Sequence, residues 1–337
     1  MPDYGAKMAD RAIKTVERKI RRTYRTAQKE LQENLSEFVI KHQAKEKTML
    51  EKVKKGLITE QDFKNWQTGQ LFMEKQWKDK LDQVTKILFN ANQEAAKVVH
   101  EQKLDVFAEN YNHEAFELAK KIGSDVGFNL YNAESAAKLV TKKPDILPKW
   151  KIHEKKDYIW NYKKAKNAVT QGIIQGEGID QIADRLVNSL CTQNEDKMRM
   201  FARTAITGAQ NAGRIEQMHD AEELGIKLKK RWVATLDSRT RDLHQRLDGQ
   251  EVPIDQPFHI DDYEINFPGD PSAEPEMVYN CRCTMIQVYE GIDRRSIRRD
   301  EDDNAVEDMT YTEWKEAKEN GTLKTDKKLV EPPIGRK

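Results

Sequence analysis

Apolar residues at steps of three and four, set in a chain whose residues are 34% charged, place the first limit on the fold. Between about Ala6 and Gly56, Ile13, Val16, Ile20, Tyr24, Ala27, Leu31, Leu35 and Phe38 recur at that spacing. With 3.6 residues per turn they lie on one stripe of a helix. Lys, Arg, Glu and Gln fill the opposite face, so the helix must bury its stripe against another element. Trp77, Leu81, Val84, Leu88, Ala91, Ala95 and Val98 form a second, nearly heptad stripe. Thr59, with Asp62 three residues on, is the expected N-cap of that second long helix.

Breakers divide the remainder. Phe107 to Leu139 reads as shorter helix interrupted at Gly123 and Gly127, and Pro144 and Pro148 end helical pattern. Helix is expected again over 152–175, from Asp180 past Leu190, and from about Glu195 to Leu224. Gly225 follows as a C-terminal stop. Beyond it the period changes to two. Arg231–Thr235, Glu251–Ile254, Glu264–Phe267 and Thr284–Tyr289 read as strands separated by Gly- and Pro-rich turns. The expected class is α+β: a long-helix region over 1–140, a linker over 141–151, and a helical-plus-irregular-sheet domain over 152–290. A charged, flexible tail is expected over 291–337, with one short helix from Met309 to Asn320.

Charge is uneven along the chain. Residues 1–30 hold nine Lys/Arg against four Asp/Glu, whereas residues 231–290 hold five against twelve. The basic arm (Arg18, Lys19, Arg21, Arg22) is a candidate for contact with double-stranded DNA, or equally a solvated helix face. Three cysteines, Cys191, Cys281 and Cys283, are too few and too odd for a disulfide framework and suit a reducing cytoplasm. No apolar leader or run long enough to span a bilayer is present, so no membrane partner is expected.

The residues that carry chemistry cluster near the carboxy-terminal end. They are Trp232, Asp237, Arg239, Thr240, Arg241 and His244, then Gly249, Pro268-Gly269-Asp270, and Asn280-Cys281-Arg282-Cys283. Two thiols and an imidazole, His244 with Cys281 and Cys283, would suit zinc, with Asp237 or water as a fourth ligand. The alternative is that both thiols face the core and His244 satisfies a hydrogen bond. A nuclease or related hydrolase could use His244 as general base, Asp237 to orient it, and Arg239, Arg241 and Arg282 on phosphates. The competing reading is a buried polar network that ties together a loop-rich domain with little apolar area, and it is preferred. No phosphate-binding glycine loop, G-x-S-x-G or H-E-x-x-H occurs.

In their order these pieces resemble the phage Mu F-like domain of minor head proteins. The series is Ala202-Arg203-Thr204 with Asn211, Gly225 before Trp232, Asp237 to His244, Asp248-Gly249, Phe258, Pro268-Gly269-Asp270 and Asn280 to Cys283. The resemblance covers roughly 155–290. Many relatives carry an acid after the Arg-Thr pair, where this chain has Ala205. Some relatives carry a fused toxin or enzyme domain, and the residues after the last motif are too few for one. The resemblance implies head assembly without turnover. The expected partners are the portal, scaffold or capsid proteins and packaged DNA, and the expected location is the head interior after assembly in the host cytoplasm. It also implies few copies per particle and a part in DNA ejection.

Overall fold

In the computed structural model the described residues are 4–71, 74–122, 128–149 and 154–289, with the pairs 298–299, 305–306 and 325–326. Six helices come first: α1 (Tyr4–Lys54), α2 (Glu60–Leu71), α3 (Glu74–Ile122), α4 (Ala133–Lys142), α5 (Glu154–Ile174) and α6 (Ile179–Glu223). Strand β1 (Leu228–Val233), helix α7 (Asp242–Leu247) and strands β2 (Glu251–Pro253), β3 (Phe258–Ile260) and β4 (Tyr263–Ile265) follow. Helix α8 (Pro275–Val278) and strand β5 (Thr284–Tyr289) complete the domain. Two-residue strands β6 (Arg298–Arg299), β7 (Ala305–Val306) and β8 (Thr325–Asp326) pair antiparallel further on. The fold is α+β, as the change of period implies. The helix expected over Met309–Asn320 lies outside the described residues.

The chain forms two compact units that do not follow chain order. One comprises Arg18–Val98 with Lys151–Arg199, the other Met1–Glu17 with Val99–Trp150 and Met200–Lys337. α1, α3 and α6 each contribute to both.

The first unit is a helical bundle built on the stripes. Ile20, Tyr24, Leu31 and Leu35 of α1 are buried, as are Trp77, Leu81, Val84, Leu88 and Ala95 of α3 and Ile182, Leu186 and Leu190 of α6. One polar chain threads this apolar interior. The Tyr24 hydroxyl donates to Asn92 Oδ1, Asn92 Nδ2 to Asn194 Oδ1 at 3.0 Å, and Asn194 Nδ2 to Asn161 Oδ1 at 3.2 Å. Four helices are thereby held in one register, because any slip would strand a buried amide. Asn194 also donates to the Leu190 carbonyl at 2.9 Å. That satisfied amide explains why α6 continues through the polar 191–195 stretch, where the sequence pattern suggests two helices. At the bundle's turn Thr59 and Asp62 cap each other: the Asp62 amide donates to Thr59 Oγ1 at 3.0 Å and the Thr59 amide to Asp62 Oδ2 at 2.9 Å. Helix is described up to Leu71 and again from Glu74, and the two residues between lie outside the described ones.

The second unit packs α3, α4 and the alanine-rich half of α6 around Phe107, Leu118, Ile206, Ile215 and Met218. Ala202, Ala205, Ala209 and Ala212 are fully buried, which lets backbones approach. A Cβ built on Gly213 would stand 2.3 Å from the Phe107 carbonyl oxygen, so only glycine fits at that crossing. The sheet has order β2-β1-β5, all antiparallel, with Trp232 opposite Met285. β3 and β4 form a hairpin beside it.

Candidate functional site

Trp232 is the hub of a small second core. Fully buried on β1, it meets the rings of His244 and Phe258 edge-on, with centroids 5.5 and 5.3 Å away. Leu247, Ile265, Met277, Cys281 and Cys283 close around it. So little apolar area cannot by itself order the loops that follow, and polar cross-links take over.

Asp237 is the first cross-link. Its carboxylate receives both Arg282 Nη groups, the Arg239 amide at 3.0 Å and Arg239 Nη2 at 3.2 Å. The Thr240 hydroxyl lies 2.6 Å from the Thr235 carbonyl and 3.1 Å from Asp237 Oδ1. Burial alone would push the Asp237 carboxyl upward. The hydrogen bond and charge of Arg282, aided by Thr240 and the Arg239 amide, overcome it and hold the pKa at about 2. The acid is therefore ionised at all physiological pH and functions as a fixed anchor.

Asn211 is the second. From α6 its Nδ2 donates to the carbonyls of Pro268 at 3.0 Å and Cys283 at 3.3 Å, and its Oδ1 accepts the Met285 amide at 3.1 Å. Neighbours on the same face do similar work. Thr204 Oγ1 accepts the Asn280 amide at 3.0 Å and Thr207 Oγ1 donates to the Cys281 carbonyl at 3.0 Å. Asn280 has φ +54°, a left-handed turn that asparagine tolerates, and it sends the chain into β5. Asp270 closes the third loop by accepting from Asn266 N and Nδ2 at 3.0 and 2.8 Å and from Ser272 N at 2.8 Å. Gly269 has φ +86°, and a Cβ on it would lie 2.7 Å from Gly208 Cα, so the Pro268-Gly269-Asp270 turn presses directly on the α6 backbone. Gly249, at φ +79°, lets its amide reach the Trp232 carbonyl at 3.0 Å.

The thiols lie beneath this lattice. His244 on α7 is 2% exposed, Cys281 2% and Cys283 3%. His244 Nδ1 is 3.3 Å from Cys283 Sγ and 3.5 Å from Cys281 Sγ, and its Nε2 is 3.2 Å from Arg241 Nη2. The Cys283 amide donates to Cys281 Sγ at 3.4 Å. The Cys283 side chain first, then its amide, pull the Cys281 thiol down against burial, whereas burial drives Cys283 well up. Among the described residues these three form a group of potential metal donors, mutually within 4.8 Å; Asp237, the expected fourth ligand, is not in it. The imidazole nitrogens face Arg241 and the sulfurs, while the Asp237 carboxylate is held by Arg282, Arg239 and Thr240. Arg239 projects into solvent with its side chain 77% exposed, and Arg241 Nη1 ties the Tyr279 carbonyl at 2.8 Å. Cys191 lies in the bundle unit, where burial first and Glu195 second raise its pKa to about 12.

Pattern alone did not single out Arg214. It is 1% exposed and donates through Nη1 to the Met285 carbonyl at 2.7 Å, while its Nε lies 3.5 Å from Glu114. A charged residue in a helical pattern reads as a solvated face, and only the small residues around it hint at burial. Arg18, Lys19, Arg21 and Arg22 are exposed on α1, with Arg21 Nε 3.7 Å from Glu195.

Residues 163–286 match the family model described as Phage Mu protein F like protein. This segment is similar to that family. It contains every motif of the polar lattice from Arg203 to Cys283. Over 232 residues the chain is 28% identical to Minor head protein GP7 of Bacillus phage SPP1, covering 66% of this chain and 72% of that one. It is 32% identical over 193 residues to NAD(+)--arginine ADP-ribosyltransferase EFV of Enterococcus faecalis, covering 57% of this chain and 37% of that one. An uncharacterized protein of Haemophilus influenzae is 29% identical over 184 residues, again with 37% of its length covered. The chain thus spans little more than a third of two of these relatives. No solved structure matches it. Among the described residues no helix is long and apolar enough to cross a membrane.

Proposed function

We propose that this chain is a minor head protein of a tailed phage, built into the particle and carrying out no turnover. The observation that carries the reading is the likeness to Minor head protein GP7, which extends over 72% of that protein and beyond the family domain. The geometry supports it. Asp237, Asn211 and Asp270 each tie loops together, which favours a body that presents a fixed surface for docking. Its neighbours in this reading are the portal and the scaffold or capsid proteins, and its place is the head interior after assembly in the host cytoplasm. Double-stranded DNA is a further partner for α1. Arg18, Lys19, Arg21 and Arg22 are all exposed on one turn of α1, a local density of cations that rewards phosphate contact.

A nuclease built on His244 has no support from the comparisons, and the imidazole, 2% exposed, is shut away from any phosphodiester. One second reading has a specific observation behind it, the 32% identity to an arginine ADP-ribosyltransferase. Incubation with labelled NAD and an arginine-rich acceptor separates the two, and no transfer is expected.

The direct test is assembly. Co-expression with portal, scaffold and capsid proteins should give procapsids that contain the chain, and omission of the portal should remove it. Particles assembled with portal but lacking the chain would overturn the reading. For the arm, replacing Arg18, Lys19, Arg21 and Arg22 together by Gln should weaken duplex binding and flatten its salt dependence. Unchanged binding would exclude these residues.

A further inference from the structure

We propose that His244, Cys281 and Cys283 form a zinc site with two sulfur ligands, one nitrogen ligand and a water. The inference is independent of the head-protein reading.

The donor spacing is the first support. A tetrahedral ion about 2.0–2.1 Å from nitrogen and about 2.3 Å from sulfur sets its nitrogen and sulfur ligands about 3.5 Å apart. His244 Nδ1 stands 3.3 and 3.5 Å from the two sulfurs. All three donor atoms lie within 4.8 Å of one another, close enough for one ion to be shared among them after side-chain adjustment. Thiolate with imidazole is a donor set that selects zinc over magnesium or calcium.

The second support is that the ligands are already fixed. Carbonyls of the Cys281–Cys283 segment are each tied from another element: Cys281 by Thr207, Arg282 by Thr235 at 2.8 Å, and Cys283 by Asn211. The Cys283 amide points at Cys281 Sγ, a bond that a metal-bound thiolate retains and strengthens. Trp232 holds the imidazole edge-on from one side. Binding thus costs little ordering of the protein.

Charge balance is the third. Loading replaces two thiol protons by one divalent ion, releases both protons to solvent, and leaves the buried centre neutral. The imidazole must present Nδ1 unprotonated and carry its proton on Nε2. Arg241 donates only, so it must then leave Nε2 while keeping its Nη1 bond to the Tyr279 carbonyl. Metal and the Arg241–His244 contact exclude each other, and Arg241 becomes a positioning residue that tunes affinity.

The test uses the full chain, reduced and stripped with a chelator, then titrated with cobalt(II) as a spectroscopic stand-in and with zinc. The expected result is intense tetrahedral cobalt bands with thiolate charge transfer that saturate at one equivalent. Zinc should displace them, and thermal stability should rise. Cys281→Ser, Cys283→Ser and His244→Gln should each lose the spectrum, Cys191→Ser should keep it, and Arg241→Met should lower the zinc Kd. Should the ligand variants fail to fold, X-ray absorption of the zinc-loaded wild type decides, with two sulfurs and two lighter scatterers, the imidazole nitrogen and the water oxygen, expected in the first shell. A first shell of oxygen and nitrogen alone, no saturation at one equivalent, or bands that survive loss of both Cys281 and Cys283 would overturn the proposal.

Discussion

The bundle unit and the domain around Trp232 reach order by opposite routes. In the bundle, Leu31, Leu35, Val84 and Leu88 bury long apolar stripes, and a single thread of amides fixes the register. Around Trp232 the apolar cluster is small, and Asp237, Asn211 and Asp270 hold the loops through charged and amide hubs. An apolar interior tolerates approximate shape, because its driving force has no direction. A lattice of hydrogen bonds does not, because each broken bond strands a buried partner. Part of this architecture therefore rests on area and part on geometry.

Perturbations that leave area alone but break geometry should act mainly on the Trp232 domain. The largest effect is expected for Gly269→Ala, which adds a Cβ 2.7 Å from Gly208 Cα at φ +86°. A loss of more than about 3 kcal/mol in urea denaturation is expected, since neither backbone can yield cheaply. Leu88→Ala, the matching insult to the bundle, should cost about 2–5 kcal/mol through its cavity. Asp237→Asn should cost about 1–3 kcal/mol, because Arg282 keeps its burial and loses its anion.

Acid sharpens that third case. Asp237 has a folded pKa of about 2 against an ordinary 3.8. Its contribution is complete above pH 3.8 and is lost as pH falls through 2, so Asp237→Asn should flatten the acid limb of a Tm–pH profile. The alkaline limb runs the other way. Burial lowers Lys103 and Lys230 from 10.5 to about 8, with Lys149 aiding at Lys103 and Asp270 and Asp255 opposing at Lys230. The unfolded chain holds those protons longer than the folded one. Stability should therefore rise between pH 8 and 10.5, and Lys230→Met should reduce the rise. The smallest effect is expected for Gly69→Ala, which adds a Cβ with nothing within 4 Å inside α2. It should stabilise by about 0.5–1 kcal/mol.

Legibility in the sequence follows the same division. The stripes of α1 and α3 are periodic, so their buried residues could be named from spacing, and the capping pair Thr59–Asp62 is local. The motifs Asp237–His244 and Asn280–Cys283 could be recognised as a group, as could the meeting of His244 with both thiols. Other features depend on residues distant in sequence. Gly208 against Gly269 and Arg214 against Glu114 leave no local periodicity. β3, only Phe258–Ile260, is too short to show alternation between Pro257 and Asp261. The interleaving of the two units arises because α1, α3 and α6 run unbroken through both, and an unbroken helix carries no boundary signal.

Hydrogen exchange of the amides from Asn280 to Met285 tests most directly whether polar hubs, rather than apolar area, order this domain. These amides should exchange as slowly as those of α6 around Asn211 in the wild-type chain, and markedly faster in Asp237→Asn and Asn211→Ala. Fast exchange in the wild type, or slow exchange that both substitutions leave untouched, would contradict the account.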